Sequence, residues 1–144
     1  MKHKQFIVEV NASEVVEHIR VAEANTSGEI RVFISRKEAP DPVAVAQAKF
    51  GRLGMSRTRH HNGVLIFVAP RSRTFAIVGD VAVHEICGQG FWEAERNQMK
   101  GHYQAGRYTE GLVMAIDHAG ELLTKHFPRE KDNPNELPDE IVTD

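Results

Sequence analysis

A chain of 144 residues with a formal net charge of −2 has the length of one ordinary domain that buries its own core. Its 18 Lys and Arg against 20 Asp and Glu argue against a nucleic-acid-binding surface, which would need a basic excess. The start of the chain lacks the apolar run of a signal peptide, and no stretch approaches the roughly 18 apolar residues of a membrane span. The single cysteine, Cys87, allows no intrachain disulfide, which suits a reducing compartment. We therefore expect a soluble cytoplasmic protein with no membrane span and no nucleic-acid partner.

The first part of the chain predicts a helix, a strand and a second helix. Asn11 is suited to cap the first helix, which the turn ending at Gly28 stops. Residues 29–35 alternate in the way expected of a strand. Asp41 followed by Pro42 then marks the start of the second helix, because Asp is a favoured cap and Pro a favoured first helical residue.

The second part of the chain predicts a hairpin, two helices and a tail. The run 64–69 is apolar throughout, which indicates a strand buried on both faces, and 74–78 is its antiparallel return strand. Helical spacing of apolar residues covers 91–99 and about 109–126. The segment 129–144 is polar and acidic, and we expect it to be an extended or partly disordered tail.

The predicted strand order brings three polar side chains to one end of the sheet. A strand–helix–strand unit in one sheet is normally parallel, whereas a hairpin is antiparallel. The starts of the first two strands and the end of the third therefore meet, and they carry Glu29, Asn62 and Asp80, each beside a glycine. Two carboxylates and an amide are oxygen ligands of the kind that Ca²⁺ or Mg²⁺ prefers. The sequence thus predicts a divalent-cation site at Glu29, Asn62 and Asp80.

Each of these three residues also has a purely structural interpretation. Glu29 is typical of a solvated residue at a strand start, and Asn62 with the following glycine is typical of a turn. Asp80 is suited to cap or turn the chain after its strand. Nothing but the strand order makes the three residues neighbours, so both interpretations stay open.

Several blocks of the sequence resemble the TPM domain family, including a small soluble bacterial branch of it. The blocks are TSGEIRVFI, NGVLIFVAPRSRTFAIVGD, GRYTEGLVMAIDHAGELLTKHFP and NELPDEI. The resemblance implies a three-layer αβα sandwich with a small mixed sheet of about four strands. It implies one domain over 1–128, followed by the acidic tail 129–144. Three strands are evident, so we expect the fourth at 4–10 or in a short element near 81–86.

The same resemblance guides the functional expectation, since the family includes an acid phosphatase and members that bind Ca²⁺ at an acidic groove. We expect residues 81–90 to form a loop that brings His84 and Glu85 close to Asp80. The first hypothesis is a low-activity metal-assisted phosphatase that acts on a phosphorylated substrate, with Asp80, His84 and Glu85 as catalytic residues. The alternative is a non-catalytic calcium-binding module that contacts a protein partner.

Overall fold

The computed structural model describes residues 3–129 and 140–144. Within these ranges the elements are α1 (His3–Glu9), α2 (Ala12–Glu23), β1 (Glu29–Ile34), α3 (Pro42–Arg52), β2 (Gly63–Ala69), β3 (Thr74–Gly79), α4 (Val81–Gln104), α5 (Tyr108–His126) and β4 (Ile141–Thr143). The strands form one sheet in the order β3-β2-β1-β4. β1 is parallel to both β2 and β4, and β2 is antiparallel to β3. The predicted small mixed sheet is confirmed.

The sheet has helices on both faces because its central strands are apolar on both faces. On one side, α1, α2, α4 and α5 pack on alternate residues of β1, β2 and β3 through side chains such as Ile19, Met99 and Ile116. On the other side, α3 packs through Ala46 and Phe50 on the remaining residues of these strands. The three-layer αβα arrangement follows, as predicted.

The fourth strand lies in neither of the two predicted places. Residues 3–9 form a helix in which Phe6 is buried and Val8 is 77% exposed, and Val10, directly after the helix, is buried. Apolar side chains at 6, 8 and 10 suggest a strand, but the spacing from 6 to 10 fits a helix face equally well. The fourth strand is β4, at the end of the predicted tail, and the tail residues 130–139 lie outside the described residues.

The segment 81–90 is helical, so the predicted loop is wrong. Glycines at 88 and 90 suggested a loop, but only Gly88 leaves helical geometry, with φ 70° and ψ 176°. The helix predicted over 91–99 is therefore the middle of a longer element that begins directly after Asp80 and bends at Gly88. Among the described residues, no helix has the length and apolar character needed to cross a membrane.

Candidate functional site

The starts of β1 and β2 and the end of β3 lie side by side, as the strand order predicts. Glu29 pairs with Gly63 in the parallel register, and Val64 pairs with Gly79 in the hairpin. The backbone N–H of Asp80 donates to the carbonyl oxygen of Gly63 at 2.9 Å. Because adjacent strands are about 4.8 Å apart, the backbones of Glu29 and Asp80 are separated by about two strand spacings, roughly 10 Å.

Asp80 is the N-cap of α4 and lies directly after β3 at this end of the sheet. Its Oδ1 accepts a hydrogen bond from the Val81 backbone N–H at 2.7 Å, so the capping interpretation is correct for this oxygen. Its Oδ2 is buried and has no hydrogen bond to the residues that the structure describes. Nδ1 of His61 lies 3.6 Å from Oδ2, which is beyond hydrogen-bonding distance. One oxygen of the carboxylate is therefore structural, and the other is left for a further partner.

Asn62 and Glu29 lie at the same end of the sheet as Asp80 and are buried rather than exposed to solvent. The Asn62 side chain is 1% exposed, and its Nδ2 donates to Ser27 Oγ at 3.1 Å. This bond uses the donor side of the amide, and Oδ1 has no hydrogen bond within the described part of the chain. Glu29 is 3% exposed, so the interpretation of Glu29 as a solvated residue is wrong. All three predicted ligands are thus buried at the same end of the sheet.

The glycine before Asp80 accommodates protein rather than a ligand. A Cβ atom placed on Gly79 would lie 2.5 Å from the Trp92 ring, a distance that real Cβ atoms do not adopt. The ring of Trp92 is 5% exposed and covers this position. Gly79 is therefore required by the packing of α4 on β3.

An open cleft of about 460 Å³ lies between α3, the end of β3 and α4, and we call it the Asp80 cleft. Its polar lining includes Asp80, His84 and Glu85, together with Gln47 and Gln89. The three residues predicted to be catalytic thus line one cleft, although a helix rather than a loop carries His84 and Glu85. Glu29 and Asn62 are absent from the described lining and lie in the adjoining strand end.

The tautomer of His84 follows from its contact with Trp92. The indole Nε1–H can only donate, and it lies 3.3 Å from Nδ1 of His84. Nδ1 is therefore the acceptor, and a neutral His84 carries its proton on Nε2. His84 is exposed, so its Nε2–H is placed to donate to a group in the cleft. In this state the ring is a hydrogen-bond donor rather than a proton acceptor.

Within the described residues, no three or more His, Cys, Asp and Glu side chains are grouped so as to hold a metal ion. The predicted set contains two carboxylates and one amide, Glu29, Asp80 and Asn62. Any cation held there would need further oxygen ligands from the backbone or from water.

Cys87 follows Glu85 by two residues on α4 and is only partly buried. Partial burial raises the pKa of its thiol, against an opposing backbone hydrogen bond. A thiol with a raised pKa is less ionised at neutral pH, which disfavours a nucleophilic role.

A family model for the TPM domain matches residues 1–122. The chain belongs to the TPM domain family. Among solved structures, the NMR structure of BA42 from the psychrophilic bacterium Bizionia argentinensis has a TM-score of 0.83 and 39% sequence identity, covering 94% of this chain and 95% of that one. The N-terminal domain of a P. gingivalis protein has a TM-score of 0.59 and 16% identity over 77% and 72% of the two chains, which shows the fold alone. A search of curated proteins finds no match.

Two residues of this TPM domain contact the predicted site without having been assigned to it from the sequence. His61 lies near Asp80 and adopts φ 50°, a left-handed conformation that is uncommon for a residue other than glycine. Trp92 is buried in the core, and its indole Nε1–H donates to Nδ1 of His84. No helical spacing rule connects His84 with Trp92, because the bend at Gly88 lies between them.

Proposed function

We propose that this TPM domain binds a divalent cation, Ca²⁺ or Mg²⁺, at Asp80, Asn62 and Glu29, and that it hydrolyses phosphomonoesters slowly in the Asp80 cleft. The observation that carries the proposal is a pair of buried acceptors, Asp80 Oδ2 and Asn62 Oδ1, without hydrogen bonds in the described part of the chain. A buried acceptor without a donor costs about 1–3 kcal/mol. A cation that prefers oxygen ligands would offset that cost at both atoms.

The donor set favours a weak site. Ca²⁺ takes about six to eight oxygen ligands, and the two carboxylates and the amide supply only part of them. Oδ1 of Asp80 is already engaged by the Val81 N–H, which lowers the number of side-chain oxygens further. We therefore expect an affinity nearer to that of low-affinity extracellular calcium modules than to that of calcium buffers.

The chemistry of the cleft would divide between the cation and three side chains. When bound, a divalent cation neutralises phosphate charge and lowers the pKa of an attached water. His84 donates from Nε2 to a phosphate oxygen or to the leaving oxygen, because its Nδ1 accepts from Trp92. Glu85 is the residue after His84 on α4 and is exposed, and it accepts a proton from the attacking water. Asp80 belongs both to the proposed cation site and to the Asp80 cleft, and it therefore connects the two.

One observation favours the alternative, a non-catalytic calcium-binding module for a protein partner. Glu85 makes no hydrogen bond and no ion pair with the residues that the structure describes. A catalytic base is usually oriented by a neighbouring group. Without such a group, the same cation site would serve to shape a surface that a protein partner recognises.

The cation site is tested by titrating CaCl₂ and MgCl₂ into the full chain and following the amide NMR spectrum. We expect shifts centred on residues 27–29, 61–63 and 79–82. Asp80→Asn should weaken binding about tenfold or more, because a lost charged contact is worth about 1–3 kcal/mol. Asp41→Asn is the matched control, since Asp41 also caps a helix by accepting from Ala44 N–H, at 3.3 Å, and lies at the far end of β1. Equal affinities for the two variants would refute the site.

Turnover of p-nitrophenyl phosphate separates the enzyme from the binding module. If the cleft is catalytic, Glu85→Gln should lower kcat by about 100-fold or more and change KM little, because proton transfer acts on the transition state. Cation binding centred on Asp80 with no turnover under either cation would support the binding module. Turnover that is the same with and without a chelator would contradict the metal-assisted mechanism.

A further inference from the structure

A second cavity, of about 570 Å³, lies at the opposite end of β3 from Asp80. Its walls come from α1, the turn between β2 and β3, the last turns of α4 and the start of α5. We call it the Tyr103 cavity, and its chemistry rests on six residues: Phe6, Arg73, Phe75, Lys100, Tyr103 and Tyr108. The described linings of this cavity and of the Asp80 cleft share no residue.

The apolar part of the Tyr103 cavity is built from aromatic rings in mutual contact. Phe6 lies 5.9 Å from Tyr103 and 5.1 Å from Tyr108 between ring centroids. Phe75 meets Tyr103 edge-on at 5.1 Å. Tilted and edge-on rings present both faces and edges, with which a further planar ring can stack favourably. The lining therefore favours an aromatic ligand over an aliphatic one.

The charged part of the Tyr103 cavity is positive. Arg73 and Lys100 are both exposed lining residues, and neither forms an ion pair with the residues that the structure describes. The described lining contains no Asp or Glu, although the whole chain carries a net charge of −2. Two unpaired cations beside aromatic rings favour a ligand with an anionic group.

Tyr103 also lines this cavity, and its side chain carries a hydroxyl group. Its oxygen is buried and has no hydrogen bond to any described residue. Burial raises the pKa of Tyr103 well above the ordinary value of 10, so the hydroxyl keeps its proton and remains a donor. A buried donor without an acceptor is costly, and an anionic ligand would supply an acceptor.

We propose that the Tyr103 cavity binds a small aromatic acid. The ring of the ligand would pack against Phe6, Tyr103 and Tyr108, and its carboxylate or phosphate group would pair with Arg73 and Lys100. The cavity volume lies within the range of about 300–1,000 Å³ found for small-molecule sites. This site is independent of the cation site, because it lies at the other end of β3.

Three naphthalene probes of similar size, one anionic, one neutral and one cationic, test the proposal: 2-naphthoate, 2-naphthylmethanol and 2-naphthylmethylamine. Each is titrated into the full chain and followed by amide NMR. We expect 2-naphthoate to bind about tenfold or more tightly than the alcohol, because charge-assisted hydrogen bonds are the stronger ones. The amine should bind most weakly. Shifts should centre on the β2–β3 turn and on residues 100–108.

Variants that remove one group each assign the binding to this cavity. Lys100→Gln and Arg73→Asn should each weaken 2-naphthoate about 3–10-fold and leave the alcohol unchanged. Asn is chosen for Arg73 because that residue has φ 55°, which Asn tolerates. Lys125→Gln, on the last turn of α5 and outside the lining, is the matched control and should change nothing.

Tyr103→Phe adds a readout that a merely structural hydroxyl would not give. The variant should weaken 2-naphthoate while the melting temperature of the ligand-free chain stays unchanged or rises, because the lost hydroxyl made no hydrogen bond to a described residue. A fall in melting temperature with unchanged binding would show that the hydroxyl is structural. Equal binding of the three probes, shifts centred on the Asp80 cleft, or no binding at millimolar probe would overturn the proposal.

Discussion

The two ends of strand β3 carry cavities of similar size and opposite charge. At the end of the strand, the Asp80 cleft of about 460 Å³ is lined by two carboxylates and a histidine. At its start, the Tyr103 cavity of about 570 Å³ is lined by two cations and a cluster of aromatic rings. The strand between them is ordinary core, with Phe75, Ala76 and Ile77 buried. The chemical character of each end therefore comes from the residues that flank the strand and from the helix packed on it.

The element common to both ends is α4, which runs past the whole length of the sheet. Its first residues, after the cap at Asp80, line the cleft, and Lys100 and Tyr103 near its end line the cavity. Gly88 lies between these two parts of α4, and its backbone conformation is essentially limited to glycine. We infer that the bend at Gly88 lets one helix serve two separate sites.

The most severe test of this comparison is Gly88→Ala. A side chain at φ 70° and ψ 176° is strained, and we expect a loss of about 1–3 kcal/mol in the free energy of unfolding. NMR shifts should be concentrated at Asp80 and His84, because the short helical segment before the bend is the part that must move. Urea denaturation and the amide spectrum measure the two effects.

Gly90→Ala is the matched control for this variant. Gly90 lies in α4 without a positive φ, and a Cβ atom placed on it would meet nothing within 4 Å. Since alanine is the better helix former by up to about 1 kcal/mol, this change should stabilise the chain or leave it unaffected. Equal destabilisation by both substitutions would show that the bend is not specific to Gly88. Shifts spread equally over both cavities would show that α4 moves as one body.

A smaller effect distinguishes the two roles of Asp80, that of helix cap and that of proposed cation ligand. Asp80→Ala removes both the cap and the charge, and we expect a loss of about 0.5–2 kcal/mol in the free energy of unfolding. Asp80→Asn keeps a capping oxygen for the Val81 N–H and should stay within about 0.5 kcal/mol of the original chain. Denaturation without added cation measures both. If Asn proved as harmful as Ala, the charge of Asp80 toward His61 would be stabilising the fold.

The acidic end of β3 was predictable from the sequence because its residues sit directly at strand ends. Alternation indicated the first strand and an unbroken apolar run the second, and the parallel preference of a strand–helix–strand unit indicated which ends meet. Glu29, Asn62 and Asp80 consequently lie at the same end of the sheet. Their roles toward a cation stay predictions, since strand order gives proximity and says nothing of what fills the space.

The basic end of β3 was not predictable in the same way. The cavity residues come from four separate segments that no spacing rule connects: Phe6, Arg73, Lys100 and Tyr108. The segment 4–10, which is largely α1, was one of the two places expected for a fourth strand. Strand β4 was missed for a related reason, because three residues after an acidic, proline-containing stretch carry too little periodicity. Its pairing with β1 is a tertiary contact, which local pattern does not encode.

The smallest expected effect concerns β4, which lies at the opposite edge of the sheet from β3. This strand serves as a control region, because the described lining of neither cavity includes it. The Asp144 carboxylate accepts hydrogen bonds from Ser35 Oγ and the Arg36 backbone N–H, each at 2.6 Å. Partial burial raises the pKa of Asp144, but these hydrogen bonds, one from its own backbone and the charge of Lys49 together lower it more, so the pKa lies below the ordinary value of 3.8. A carboxylate with a lowered folded-state pKa stabilises the docked strand fully above the unfolded-state value and loses that contribution as the pH falls through the folded-state value.

We therefore expect acidification below pH 3.8 to release β4 locally, seen as faster amide exchange at Val142 and Thr143, while probes of the two cavities report no matching change. Asp144→Asn should exchange quickly at neutral pH and lose this pH dependence. Unaltered exchange in that variant would mean that the strand pairing with β1, and not the carboxylate, holds β4 in place.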